Sequence, residues 1–160
     1  MVRRVEPVEL RERELDAVDR RILAALQANA RASFAEIGQA VGLSAPSVHA
    51  RVRKLERRGV IRGYTAVVDP AALGFGITAF VAITQASGYH WEDIERAVEA
   101  LPAVEECHSV TGDDSYLLKV RVADTAALEA LLRQINATDG VARTRTLVVL
   151  STPFERRRIE

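Results

Sequence analysis

Cysteine is nearly absent from this chain. The single Cys107 excludes an internal disulfide and leaves no cysteine-based metal site. No apolar run approaches the roughly 20 residues that would cross a bilayer. Met1 to Glu14 is charged throughout and has no apolar core of the kind a signal peptide carries, so no membrane partner is expected and the cytoplasm is the expected compartment. Histidine is scarce too, at three residues. Of these, His108 sits beside Cys107 on a predicted strand, where neighbouring side chains point to opposite faces, so the two do not readily share one ion and no metal is expected. Trp91, at the start of a predicted helix, reads as a core anchor rather than a ligand platform. No nucleophile–base pair or phosphate-cradling glycine loop is present, so neither catalysis nor a cofactor is expected. Net charge is also missing, with 22 basic and 22 acidic residues.

The distribution of that charge is uneven. Asp16 to Gly63 holds nine lysines and arginines against four acids, a surplus of five positive charges. Tyr64 to the end holds nine basic against fourteen acidic residues, and the first fifteen residues balance at four each. A split of this kind implies two domains with different partners, the basic one facing a polyanion. Hydrophobic content of 48% with 28% charged residues is that of a globular chain.

Helical punctuation fills the basic half. Asp16 is placed to cap a helix with Ile22, Leu23 and Leu26 on one stripe, ending at Asn29-Ala30. Ser33-Phe34-Ala35-Glu36 is a capping box, in which Ser33 serves an amide one turn in and Glu36 reaches back. Ile37, Ala40 and Val41 face inward on the short helix that follows, and Gly42 supplies a left-handed stop. Leu43 plugs the turn, Ser44 caps a third helix, and Pro46 sits in its first turn, where a missing N–H is harmless. That helix runs to about Arg58 and is closed by Gly59. Val48, Val52 and Leu55 fall within about 60° on a wheel of roughly 100° per residue, so they pack. Pro46, Ala50, Arg53, Lys54 and Arg57 occupy the opposite side, flanked by Ser47 and His49.

Beyond Gly59 the period shortens. Val60 to Val68 alternates as a strand, stopped by Asp69-Pro70. From Ile77 a strand apolar on both faces begins, with Ile77, Ala79, Val81 and Ile83 opposing Phe80 and Ala82. Helix 91–101, strand 103–111, a Gly-Asp-Asp-Ser turn at 112–115, strand 116–122, a helix through Leu128 to Ile135, and strand 141–150 follow. The order βαββαβ is the split ferredoxin-like arrangement. Helices cover one face of such a sheet, so the apolar second face requires cover from another chain. The fold class is therefore α+β. Residues 1–14 form an arm, 15–63 a (winged) helix-turn-helix, 64–76 a strand and linker, 77–152 the βαββαβ domain, and 153–160 a tail.

Three short helices with a glycine turn and a cationic third helix fit a helix-turn-helix, whose third helix enters the major groove of double-stranded DNA. Ser44, Ser47, His49 and Arg53 are the candidates for base edges or nearby phosphates. Arg51, Lys54 and Arg57 are candidates for holding phosphates, which set affinity and register. A solvated surface face is the competing reading for the whole helix. For Arg51, at the edge of the packed stripe, a structural ion pair competes.

The same residues resemble the Lrp/AsnC family (leucine-responsive and asparagine-responsive transcriptional regulators) from Leu15 to about Phe154. The resemblance is carried by 15–26 (LDAVDRRILAAL), Asn29-Ala30-Arg31-Ala32-Ser33, Val41-Gly42-Leu43-Ser44 and 48–64 (VHARVRKLERRGVIRGY). In the second half it is carried by 110–118 (VTGDDSYLL) and 141–146 (VARTRT). It implies a DNA-binding transcriptional regulator whose assembly and DNA binding respond to an amino-acid effector. The effector would bind near the turn between the second and third strands of the sheet, and homodimers would assemble further, often into octamers. Members often carry Gly-Asp-Tyr-Asp-Tyr where this chain has Gly112-Asp113-Asp114-Ser115-Tyr116, which opens the identity of the ligand but not the place of its site. Asp113 and Asp114 are candidates for its ammonium and amides around Gly112 for its carboxylate, with Ser115, Thr144 and Thr146 as polar partners and Leu147 lining its side chain. The competing reading is a simple hairpin turn, since glycine and aspartate favour turns. Sirohaem decarboxylases are similar to this family in fold, but three histidines, one on the cationic helix, make a poor tetrapyrrole site. An architectural DNA-coating protein is the other rival.

Overall fold

Polar caps set where the first helices begin. A computed structural model describes residues 15–155, and the Met1–Glu14 arm and the Arg156-Arg157-Arg158 run lie outside them. The chain divides into two compact units, one through Ala66 and one from Val67 to Phe154. Helix α1 spans Ala17–Ala28, and the Asp19 amide donates to Asp16 Oδ1 at 2.7 Å. Helix α2 spans Phe34–Val41 behind a complete capping box. The Glu36 amide donates to Ser33 Oγ at 3.2 Å, and the Ser33 amide to Glu36 Oε2 at 2.6 Å. Each such cap satisfies amides that helix geometry leaves orphaned, and typically stabilises by about 1 kcal/mol.

Helix α3 spans Ala45–Arg57, with Ser44 as its cap and Pro46 in its first turn. Ile22, Leu26, Ile37, Val41, Val48 and Val52 form the helical core, with Val18, Phe34, Leu43 and Ile61 against it. Burying each such side chain stabilises by roughly 1.5–3 kcal/mol. Gly42 takes φ 78° and turns the chain from α2 towards α3. Gly38 is a glycine for a different reason, because a Cβ there would stand 2.5 Å from the Leu43 carbonyl oxygen.

The strand expected at 60–68 does not form. Residues 62–69 carry no regular structure, so no wing strand follows α3. Alternation favours an extended chain, but a strand also needs a neighbour to share its ladder, and the described residues provide none. A short 3-10 turn, Ala71–Leu73, follows Asp69-Pro70.

The second unit runs β1 (Ile77–Gln85), α4 (Trp91–Glu99), β2 (Val104–Ser109), β3 (Tyr116–Val122), α5 (Thr125–Asn136) and β4 (Val141–Val148). The sheet order is β2-β3-β1-β4, and every neighbouring pair is antiparallel. Ala79, Val81 and Ile83 of β1 pack with Leu118 and Val120 of β3 beneath Ile94 and Val98 of α4 and Leu128, Leu131 and Ile135 of α5. This is the ferredoxin-like α+β arrangement read from the sequence.

Trp91 is not the core anchor that its spacing implied. It is 44% exposed, while Ile94 and Val98 are fully buried. As the first residue of α4 it lies a turn ahead of the stripe that meets the sheet. The face of the sheet away from the helices carries Phe80 and Ala82 of β1, Leu117, Lys119 and Arg121 of β3, and Arg145 and Leu147 of β4, by strand alternation and register.

Candidate functional site

The docking face of α3 is set by its own periodicity. Burying Val48, Val52 and Leu55 turns Pro46, Ser47, His49, Ala50, Arg53, Lys54 and Arg57 outward, and all seven are exposed. Among the described residues, none of Arg53, Lys54 and Arg57 enters an ion pair. Lys54 and Arg57 lie in the last turn, where the helix dipole also favours cations. Arg53 lies one residue before Lys54, just ahead of that turn. The His49 ring lies 5.2 Å from the Phe34 ring of α2, tilted by 42°. Ser44 is committed to its cap: the Ser47 amide donates to Ser44 Oγ at 3.4 Å, and the two hydroxyls lie 2.8 Å apart.

Arg51 is turned away from that face. Its Nη1 donates to Asp16 Oδ2 at 2.6 Å and to Asp19 Oδ1 at 2.7 Å, tying α3 to the start of α1. The Asp19 side chain is 7% exposed, so this pair satisfies a nearly buried carboxylate. The Asp16 carboxyl is held below its usual range, first by the Asp19 amide and then by the Arg51 guanidinium. The structural ion pair therefore occupies the group that was also a phosphate candidate. Arg21 acts similarly at the far end of α2, donating to the Ala40 and Val41 carbonyls.

The second candidate site is the turn between β2 and β3. Gly112 takes φ 117°, which side chains rarely tolerate. The Ser115 amide donates to the Ile83 carbonyl at 2.8 Å, and Ser115 Oγ accepts from the Gln85 amide at 3.2 Å, so the turn is fastened to the end of β1. Asp114 points to the open face, where Arg145 Nη2 donates to its Oδ2 at 2.7 Å and Thr84 Oγ1 to its Oδ1 at 3.4 Å. That guanidinium is the main reason the Asp114 carboxyl sits below its usual range. Asp113 is exposed at the tip.

The expected effector set is only partly gathered. Gly112, Asp113, Asp114 and Ser115 are contiguous, and Leu147 shares the open face. Thr144 and Thr146 face the helices instead, and Thr144 Oγ1 donates to Asn136 Oδ1 of α5 at 3.0 Å. Arg145, Thr84 and Gln85 join the turn unexpectedly. The signal for Arg145 was available in strand alternation, since a residue between two threonines on β4 must face the other way. Among the described residues, no group of three or more histidine, cysteine, aspartate or glutamate side chains is placed to hold a metal ion. No described helix is long and apolar enough to cross a membrane.

Comparison with known proteins bears on both units. Residues 15–56 match the AsnC-type helix-turn-helix domain, and residues 78–159 match the Lrp/AsnC ligand binding domain. The HTH-type transcriptional regulator LrpA of Mycobacterium tuberculosis is 43% identical over 143 residues, covering 89% of this chain and 95% of that protein. A solved feast or famine regulatory protein from M. tuberculosis, complexed with L-methionine, is 42% identical with a TM-score of 0.86, covering 91% of this chain and 99% of that one. A transcriptional regulator–L-methionine complex from Neisseria meningitidis is 28% identical with a TM-score of 0.87, covering 92% and 97%. By sequence, order of domains and fold, this chain belongs to the Lrp/AsnC family of transcriptional regulators and not to a family of enzymes.

Proposed function

We propose that this regulator binds defined double-stranded DNA sites through residues 15–63, and that an amino acid bound within residues 77–152 shifts its assembly and its hold on DNA. The observation that carries the reading is the exposed face of α3, with Arg53, Lys54 and Arg57 outward and outside any ion pair among the described residues. A duplex offers a dense row of phosphates to such a face and releases counterions as it docks. Ser47, His49 and Arg53 meet base edges, Lys54 and Arg57 hold phosphates, and Ser44 shapes the helix start. Arg51 acts by bracing α3 on α1.

The effector is an amino acid with an apolar side chain. Two relatives carry L-methionine in their solved complexes, and the Gly112–Ser115 turn offers charged groups to a zwitterion, with the apolar Leu147 exposed on the same face of the sheet. Homodimers that associate further cover the sheet's second face, where Phe80 and Leu147 lie in register. The protein works in the cytoplasm, where its DNA is.

Footprinting on fragments of the source genome, with and without each of the twenty amino acids, tests this. Protection of paired half-sites about one helical turn apart, altered by at least one amino acid, is the expected result. Uniform coating without preferred sites would make it an architectural protein instead. Unchanged footprints, with no calorimetric heat from any amino acid, would remove the sensing half of the reading.

A further inference from the structure

The turn's carboxylate and its neighbouring guanidinium are not equally available. Asp114 accepts from both Arg145 and Thr84, and its side chain is only 17% exposed, so an arriving ammonium would have to share a half-occupied, largely covered carboxylate with an existing cation. Arg145 is 60% exposed, and its one hydrogen bond to Asp114 engages a single donor of the five a guanidinium carries. Arg143, also exposed, lies near enough to act on Asp114 electrostatically. Two guanidinium groups, Arg145 and Arg143, therefore act on the tied carboxylate, while Asp113 carries the turn's second negative charge at its tip. Ala82 stands in register with Arg145 on one side and Leu117 on the other, an apolar floor beside the guanidinium on the open face.

We infer that Arg145 receives the α-carboxylate of the effector, and that Asp114 and Thr84 are positioning residues that hold its guanidinium in place. The inference deepens the amino-acid-sensing reading above and rests on it. A guanidinium oriented beforehand by one carboxylate can present its remaining N–H groups to a second, as a charge-assisted and potentially bidentate pair. Orientation in advance lowers the entropy lost on binding. Asp113, exposed at the tip and outside the pair, is left for the ammonium, and the floor of Ala82 and Leu117 suits an apolar side chain. This assigns the two ends of the ligand differently from a turn in which Asp114 takes the ammonium.

The test uses the full chain and two probes, L-methionine and L-methioninamide, which differ only in the carboxylate. Calorimetry should show the wild type preferring the acid by about tenfold or more. R145Q should weaken methionine binding by about ten- to a hundredfold, leave the amide within about twofold, and so erase the preference. R145K, which keeps the charge without the fork, should fall between, and it carries the test if R145Q does not fold. D114N should weaken methionine less than R145Q does. If R145Q binds methionine like the wild type, or loses both probes equally at an unchanged thermal midpoint, the assignment of Arg145 is wrong while sensing stands. If the wild type binds neither probe nor any other amino acid, the sensing reading itself fails and takes this assignment with it.

Discussion

The two units treat their cations in opposite ways. On α3, Arg53, Lys54 and Arg57 stand outward without an acidic partner among the described residues. On the open face of the sheet, Lys119 meets Glu105 at 3.7 Å and Glu106 at 3.2 Å, Arg121 meets Glu105 at 2.7 Å, and Arg145 meets Asp114 at 2.7 Å. A row of unpaired cations repels itself until an anion arrives, so it favours a polyanionic partner. A face whose charges are already matched repels nothing, and it suits a zwitterion or a second protein surface. The difference also shows in how each unit is held. The helical unit adds caps and the Arg51 link between α1 and α3 to a core of six buried residues, whereas the sheet unit buries twelve in one continuous core.

The largest expected effect attacks the unpaired side of this contrast. R53E/K54E should lower DNA affinity by about a thousandfold at moderate salt and flatten its salt dependence, while circular dichroism stays unchanged. Retained, salt-sensitive binding in that variant would leave α3 as an ordinary solvated helix. Next, Gly38→Ala should cost the helical unit about 2–3 kcal/mol, because its Cβ would press on the Leu43 carbonyl at 2.5 Å. Denaturant unfolding monitored by helical signal would measure it, and a loss below about 0.5 kcal/mol would mean that the turn yields. Arg51→Ala should cost about 1–3 kcal/mol by stranding the nearly buried Asp19. If Arg51 instead acts mainly on phosphates, that variant would lose DNA affinity with its thermal midpoint intact.

Acid has the smallest expected effect, and it reaches both units. Asp16 and Glu36 in the first unit, and Glu106 and Asp114 in the second, all have carboxyls held below their usual range. Their leading causes are the Asp19 amide, the Ser33 amide, His108 and Arg145, respectively. A carboxylate with a lowered folded-state pKa adds stability that is complete above its unfolded value and is lost as pH falls through the folded one. Thermal midpoints should therefore hold from neutral pH to about pH 5 and decline below about pH 4. A midpoint that rises on acidification would contradict these assignments.

Features governed by spacing within a few residues were legible in the sequence. The cap at Asp16, the Ser33/Glu36 box, the Gly42 stop, the buried stripe of α3 and the βαββαβ order all follow from local rules, and the structure holds each of them. Contacts between distant residues were not legible. Arg51 lies 35 residues from Asp16, and Arg145 lies 31 from Asp114, so neither pair is visible until helix packing and strand register are fixed. Thr144 and Thr146, polar partners expected from within the resembling segment 141–146, stand in register with Ile83 and Val81 on the helix-covered face of the sheet. The strand at 60–68 needed a neighbour that its own alternation could not supply. Trp91 was misplaced because the helical stripe begins one turn later than its first apolar residue.

Gly38 has a consequence for how targets are chosen. Backbone from the loop after α2 rests directly where a side chain would stand, so the crossing of α2 and α3 has little freedom to open or close. If α3 docks as proposed, such a pair would meet its groove as a stiff wedge. On the proposed docking, tolerance for variant operators would come from the long, rotatable side chains of Arg53, Lys54 and Arg57, which could trade one phosphate oxygen for the next while the helices beneath them stay still.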